Sequence, residues 1–266
     1  MFILSYFKKP VQKKPKKIII VNKKEGETPL EALEAFRAKN KEYKDLPITY
    51  AGRLDPMASG VLILLAGEEA KNKEKYLALD KEYEFEVLFG FATDTYDILG
   101  KVVSPQGQHL WGSEDRVLKK VILDNLKYFT GKFIQKYPPY SSKTVKGKPM
   151  FEYARESVAV EAPEREVNVK SLKLIKIKKI TSKKLLENIE KRIQKVIGDF
   201  RQKEILKLWQ NKLKNSPDTF PVASFKIKCG SGTYVRSIAN SLGEKTLIPA
   251  LAYSIKRTRV GKYKIF

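Results

Sequence analysis

The chain of 266 residues has one cysteine, Cys229, and one histidine, His109. A disulfide within the chain is therefore impossible, and a structural zinc site, which needs about four Cys or His ligands, is excluded. A Ser-His-Asp or Cys-His mechanism would have to use His109. That residue sits in Gly107-Gln108-His109-Leu110-Trp111-Gly112, a turn-like stretch with no nucleophile pattern nearby, and reads as a loop residue. Cys229 falls in a strand-like run and reads as a small buried hydrophobe. No apolar run approaches the ~18 residues of a membrane span. The first 24 residues hold eight lysines and no acid. They lack the apolar stretch and cleavage site of a secretory signal, which predicts a cytoplasmic protein. Acid is scarce overall: 30 Asp+Glu stand against 53 Lys+Arg, a formal net charge of +23. That excess is too large for solubility alone and predicts a field that attracts nucleic acid or an anionic membrane surface. A plain lysine bias is the alternative reading.

What is present is enough for a folded core, since 42% of the residues are hydrophobic. Residues 1–17, broken by Pro10 and Pro15, read as a flexible basic arm ahead of one large domain over 18–266. Ile18-Ile19-Ile20-Val21 reads as a short buried strand, and Thr28 as the cap of a helix from Pro29 through Ala38. Helices are predicted over Glu68–Leu79, Val117–Tyr128, Phe151–Glu156 and Ser237–Lys245. Strands are predicted over residues 82–91, Val167–Ile180, Pro221–Cys229 and 263–266. Residues 183–214 repeat apolar side chains at helical spacing and read as one or two helices inserted between two strands. Lys170 to Lys214 carries fifteen Lys/Arg and four Asp/Glu, so this insertion reads either as a packing hairpin with a solvated face or as an added RNA-contact element. Helices and strands mix without βαβ regularity, which predicts an α+β fold with a mainly antiparallel mixed sheet flanked by helices.

Residues 50 to 60, Tyr-Ala-Gly-Arg-Leu-Asp-Pro-Met-Ala-Ser-Gly, carry the most chemical information. Asp55 precedes a proline, and such a residue avoids the helical region, so the carboxylate belongs on a loop or strand end. Arg53, two residues away, is a candidate to hold it ionised, for catalysis or for stability alone. Lys81 and Tyr83 alternate onto one face of the strand that Lys81-Glu82-Tyr83 opens, offering a cation and a phenol to one pocket. Gly230-Ser231-Gly232-Thr233-Tyr234-Val235-Arg236 allows a tight turn and close backbone approach to a phosphate or ribose. Arg236 follows it at the start of a helix, placed to pair with a carboxylate. Lys256-Arg257-Thr258-Arg259-Val260-Gly261-Lys262 reads as a phosphate track, and Pro138-Pro139-Tyr140-Ser141-Ser142-Lys143 as a basic, aromatic-bearing loop suited to looped RNA.

These elements, in this order, resemble the TruB family of pseudouridine synthases, which modify a uridine in the T-loop of transfer RNA. Gly52 through Leu62 resembles the family's catalytic motif, Lys81-Glu82-Tyr83 its Lys-x-Tyr motif, and Gly90 through Gly100 its Gly-x-x-Thr-Asp-Thr-x-Asp-x-x-Gly loop. Lys23 through Thr28 resembles its opening segment. The blocks at Pro138–Lys143, Gly147–Arg155, Cys229–Arg236 and Ile255–Gly261 match as well. The resemblance runs over roughly residues 18 to 262. Tyr50 stands where the family usually has a histidine that stacks in the T-loop, and Ile255 where it often has leucine. The 183–214 segment is longer than the usual connection. The chain stops soon after the Arg-Thr-Arg-Val-Gly block, so the family's C-terminal PUA domain is expected to be absent.

The resemblance implies a pseudouridine synthase fold and an isomerase that needs no cofactor and no metal. It implies Asp55 as the catalytic nucleophile or base, Arg236 as the group that keeps it ionised, and Tyr83 stacked on a flipped uracil. Tyr50, Arg53, Lys81, Ile255, Lys143, Arg257 and Arg259 are the implied substrate-binding residues, with a tRNA T-arm as partner of a monomeric protein away from any membrane. The competing expectations are a sister synthase acting on another RNA, and a basic RNA-binding or RNA-folding protein without catalysis.

Overall fold

Local signals start the fold. The computed structural model describes residues 15–103, 115–214 and 216–265; His109 and residues 1–14 of the expected arm lie outside them. Strand β1 (Ile18–Lys23) leads through a turn into α1 (Pro29–Lys39). Thr28 Oγ1 accepts the Glu31 N–H at 3.2 Å, and Glu31 returns the bond by accepting the Thr28 N–H at 2.6 Å. This reciprocal box satisfies two helix-end donors, and Pro29 occupies a position where no N–H is needed. Strands β2 (Ile48–Ala51) and β3 (Ala58–Ala66) flank the turn that carries Asp55.

The single helix expected over 68–79 is instead a 3₁₀ stretch, Gly67–Asn72, followed by one short turn, α2 (Lys73–Leu77). Its end is fixed from outside, because the Lys81 ammonium donates to the carbonyls of Leu77 and Leu79, each at 2.6 Å. Strands β4 (Lys81–Phe89), β5 (Ala92–Thr93) and β6 (Val102–Val103) follow, then α3 (Asp115–Asn125), β7 (Gly131–Lys136), β8 (Thr144–Val145), β9 (Lys148–Pro149) and α4 (Met150–Arg155). The long β10 (Glu164–Thr181) runs into α5 (Ser182–Ile193) and α6 (Gln202–Lys214), and the chain returns as β11 (Thr219–Cys229). It closes with α7 (Val235–Thr246), β12 (Ala250–Val260) and β13 (Tyr263–Lys264).

Among the described residues one sheet dominates, in the order β1-β3-β12-β4-β11-β10-β7. Every neighbouring pair along it is antiparallel except β12 with β3. The fold is α+β. The main departure from the sequence reading is β12: its basic residues, expected as a phosphate track, lie in a strand at the centre of the sheet. Parallel contact with β3 is close enough that Gly60 (φ +108°) has no room for a side chain; a Cβ there would sit 2.1 Å from the Arg257 carbonyl oxygen.

Strand alternation sorts the core into two layers. Phe85, Val87 and Phe89 of β4 pack with Leu118 and Ile122 of α3 and Ile238 and Leu242 of α7. On the opposite face Leu88, Val222 and Leu251 pack against α5 and α6 through Leu185, Ile189, Ile205 and Trp209. Trp209 is fully buried and its indole N–H donates to the Ile98 carbonyl at 3.3 Å. The α5–α6 hairpin is thus part of the core.

Candidate active site

The Asp55 turn is held by its backbone. The Ala58 N–H donates to the Asp55 carbonyl at 3.0 Å, and the Gly26 N–H to the Pro56 carbonyl at 2.8 Å. From the sheet beneath, Arg257 is 2% exposed. Its guanidinium donates to the carbonyls of Val61 (2.8 Å), Arg53 (3.2 Å) and Gly52 (3.0 Å). Lys23, also fully buried, donates to the carbonyls of Glu27 at 2.5 Å and Lys24 at 3.0 Å. Burial brings its ammonium down to about 8.

The Asp55 side chain, 36% exposed, faces Arg236, which is 3% exposed. Arg236 Nε lies 2.7 Å from Oδ2 and Nη2 3.0 Å from Oδ1, a fork on both carboxylate oxygens. The same guanidinium donates to the carbonyls of Thr95 at 2.5 Å and Tyr140 at 3.3 Å. Asp97 stands behind it, with Oδ2 3.7 Å from Nε. Burial opposes charge on Arg236, but the carboxylates of Asp55 and Asp97 outweigh that and hold its pKa above the ordinary range. Burial pushes the Asp97 carboxyl up despite Arg236, and its Oδ1 accepts from the Thr95 hydroxyl (2.8 Å) and the Leu99 N–H (2.9 Å). Burial likewise pushes the Tyr83 phenol up.

Asp55, Arg236 and Tyr83 share a cavity of about 930 Å³ that opens to solvent. Tyr83 and Lys81 line the same wall, as strand alternation requires, and Ile255 lies beside them. A carboxylate gripped by an arginine, beside a phenol in a cleft wide enough for a nucleotide, can initiate attack on a flipped base. Residues 39–191 match the model of the TruB family pseudouridylate synthase N-terminal domain. The chain belongs to the TruB family.

This TruB-family chain is 32% identical to the tRNA pseudouridine synthase B of Lactobacillus gasseri over 93% of its own length and 69% of that protein's. It is 30% identical to the tRNA pseudouridine synthase B of Borreliella afzelii, over 93% of its length and 70% of the other's. Among solved structures it is similar to a chain of a Cbf5-Nop10-Gar1 complex, with a TM-score of 0.54 and 17% identity, covering 94% of this chain and 50% of that one. A second is an H/ACA RNP bound to a substrate RNA containing 2′-deoxyuridine, with a TM-score of 0.53, 16% identity and coverage of 94% and 49%. The chain thus spans about half the length of these structural neighbours, which share the fold.

The structure redistributes several expected site residues. Arg53 does not hold Asp55: its side chain is exposed and hydrogen-bonds the Ser142 hydroxyl, while Arg236 takes the carboxylate. Arg257 lines the cavity, but its guanidinium is turned inward onto backbone carbonyls, so it supports the Asp55 turn from beneath. Lys81 is similarly occupied as a helix cap, and burial lowers it to about 8. Arg259 lies outside the cavity wall and pairs with Glu82 at 3.4 Å. Tyr50 and Lys143 do line the cavity, with the Lys73 ammonium 5.5 Å from the Tyr50 ring centre. Gly230 and Gly232 also line the cavity, and a Cβ at Gly232 (φ +81°) would meet the Arg165 guanidinium at 2.2 Å.

Sequence reasoning missed Thr95, Asp97, Phe200 and Arg201, all of which line the cavity. Asp97 was visible inside the matched Gly90–Gly100 loop. Nothing in the sequence marks Phe200 or Arg201.

Proposed function

We propose that this chain isomerises the T-loop uridine of transfer RNA to pseudouridine. The target nucleotide leaves the loop stack and enters the cleft. Asp55, held by the Arg236 fork, initiates cleavage of the bond between ribose C1′ and base N1. The same ribose carbon then bonds to C5 of the retained uracil, C5 loses its proton and N1 gains one, so the RNA keeps its mass. Tyr83 stacks on the uracil during this transfer, Ile255 closes the pocket wall, and Lys81 supports that strand end. Tyr50, Arg53 and Lys143, at the mouth, contact the RNA around the extruded base, and the lysines of 183–214 add to its attraction.

One observation carries the reading: the forked contact of Arg236 on Asp55 at the cavity that Tyr83 lines. Family membership and the tRNA activity for which its bacterial relatives are named support the choice of transfer RNA. The test is a T-arm stem-loop incubated with wild type and with Asp55→Asn, followed by mass spectrometry after pseudouridine-specific labelling. Wild type is expected to convert the T-loop uridine, and Asp55→Asn to bind with little change yet convert nothing. Turnover by Asp55→Asn would remove the carboxylate from its role. Equal conversion of an unrelated hairpin would point to a sister activity on other RNAs.

A further inference from the structure

Arg201 lies in the linker between α5 and α6, far in sequence from every motif of the site. It holds a left-handed backbone (φ +61°), which a non-glycine residue keeps only when its surroundings enforce it. Those surroundings are specific. Arg201 Nη1 lies 2.7 Å and Nη2 3.4 Å from the two carboxylate oxygens of Asp94. The guanidinium carbon stands 4.5 Å from the centre of the Tyr140 ring, in cation–π geometry. The Tyr140 hydroxyl donates to Asp94 at 3.3 Å. One arginine therefore ties the Asp94 loop to the Tyr140 loop.

These two loops supply both backbone acceptors of Arg236. Its Nη1 donates to the carbonyl of Thr95, next to Asp94, and its Nη2 to the carbonyl of Tyr140. The chain leading into Arg201 is itself anchored. Arg192 binds Glu25 at 2.7 Å, and the Arg155 guanidinium donates to the Asp199 carbonyl at 3.3 Å. Arg201 thus acts from a docked segment on the frame that aims the Arg236 fork at Asp55.

We infer that Arg201 is a positioning residue for the Asp55–Arg236 pair, supplied by the helical hairpin and acting through Asp94 and Tyr140. The inference rests on the proposed uridine isomerisation for its kinetic readout, but not for its structural one. Arg201→Ala should lower kcat on the T-arm stem-loop about tenfold or more and leave KM within about twofold, because the fork loosens while Tyr50, Arg53 and Lys143 at the mouth are untouched. Arg201→Lys keeps the charge but loses the planar fork and the stack, so it should fall nearly as far. Independently of turnover, the Arg236 Nε–H resonance should be protected from exchange in wild type and exchange at least tenfold faster in both variants. A rise in KM with kcat unchanged, full recovery by Arg201→Lys, or unchanged Arg236 exchange would overturn the assignment. If Arg201→Ala does not fold, Arg201→Lys carries the test. Should wild type itself fail to convert the T-arm, the functional reading falls and the exchange measurement still decides the role of Arg201.

Discussion

At the scale of single residues, the candidate site is a carboxylate whose surroundings are set by two arginines with different tasks. Arg236 contacts the Asp55 side chain; Arg257 holds the backbone that carries it. Charge alone does not serve the first task, because the contact is a planar fork. Arg236→Lys is expected to lower kcat by about 10- to 100-fold, the loss of one or two charge-assisted hydrogen bonds, with T-arm affinity nearly unchanged. An unaltered single-turnover rate would show that the fork is dispensable. Part of this was legible in the chain. Pro56 keeps Asp55 out of helical geometry, and alternation puts Lys81 and Tyr83 on one wall. The identity of the clamp was not legible from proximity: Arg53 is two residues away and points elsewhere, whereas Arg236, 181 residues away, makes the contact. Only the family resemblance suggested that pairing in advance. Arg201 had no signal at all, since a lone arginine in a linker looks like any solvated charge.

At the scale of elements, the site depends on the seam between β3 and β12. Gly60 is the point of closest approach, and its backbone conformation already disfavours any side chain. Gly60→Ala is expected to cost at least about 2 kcal/mol, combining strain with the displacement of the strand that bears Arg257. Urea unfolding measures this directly, and a loss below about 0.5 kcal/mol would mean the seam relaxes freely. The α1 start was readable from Thr28, Pro29 and Glu31 because capping is local chemistry. Strand β12 was not, since Lys256, Arg257, Thr258 and Arg259 interrupt the apolar pattern that marks a buried strand. Burial of Arg257 is tolerated only because carbonyls from β3 and the Asp55 turn satisfy it, and those lie 196 to 205 residues earlier. The hairpin's helical spacing was plain, but its integration into the core through Trp209 and Ile98 is a tertiary fact.

At the scale of the whole molecule, the excess of positive charge is unevenly compensated. Glu82, Glu84 and Glu86 alternate onto the sheet face away from Tyr83, and there they pair with Lys228 (3.2 Å), Lys226 (2.9 Å) and Lys178 (2.6 Å). Such exposed pairs add little stability, but they neutralise that face. Among the described residues, the cleft cations Lys143 and Arg53 form no ion pair with such a ladder. T-arm affinity should therefore fall steeply with salt, with a log–log slope steeper than about −3, corresponding to four or more neutralised phosphates. Fluorescence anisotropy across a salt series gives the slope, and a value near zero would deny the phosphate contacts. The order of the sheet has a last consequence, for synthesis. Strands β1 to β3 form one half and β4, β11, β10 and β7 the other, and among the described residues only β12 joins them. That strand follows all of them in sequence, so a growing chain holds two unzipped half-sheets with bare edges until β12 itself emerges.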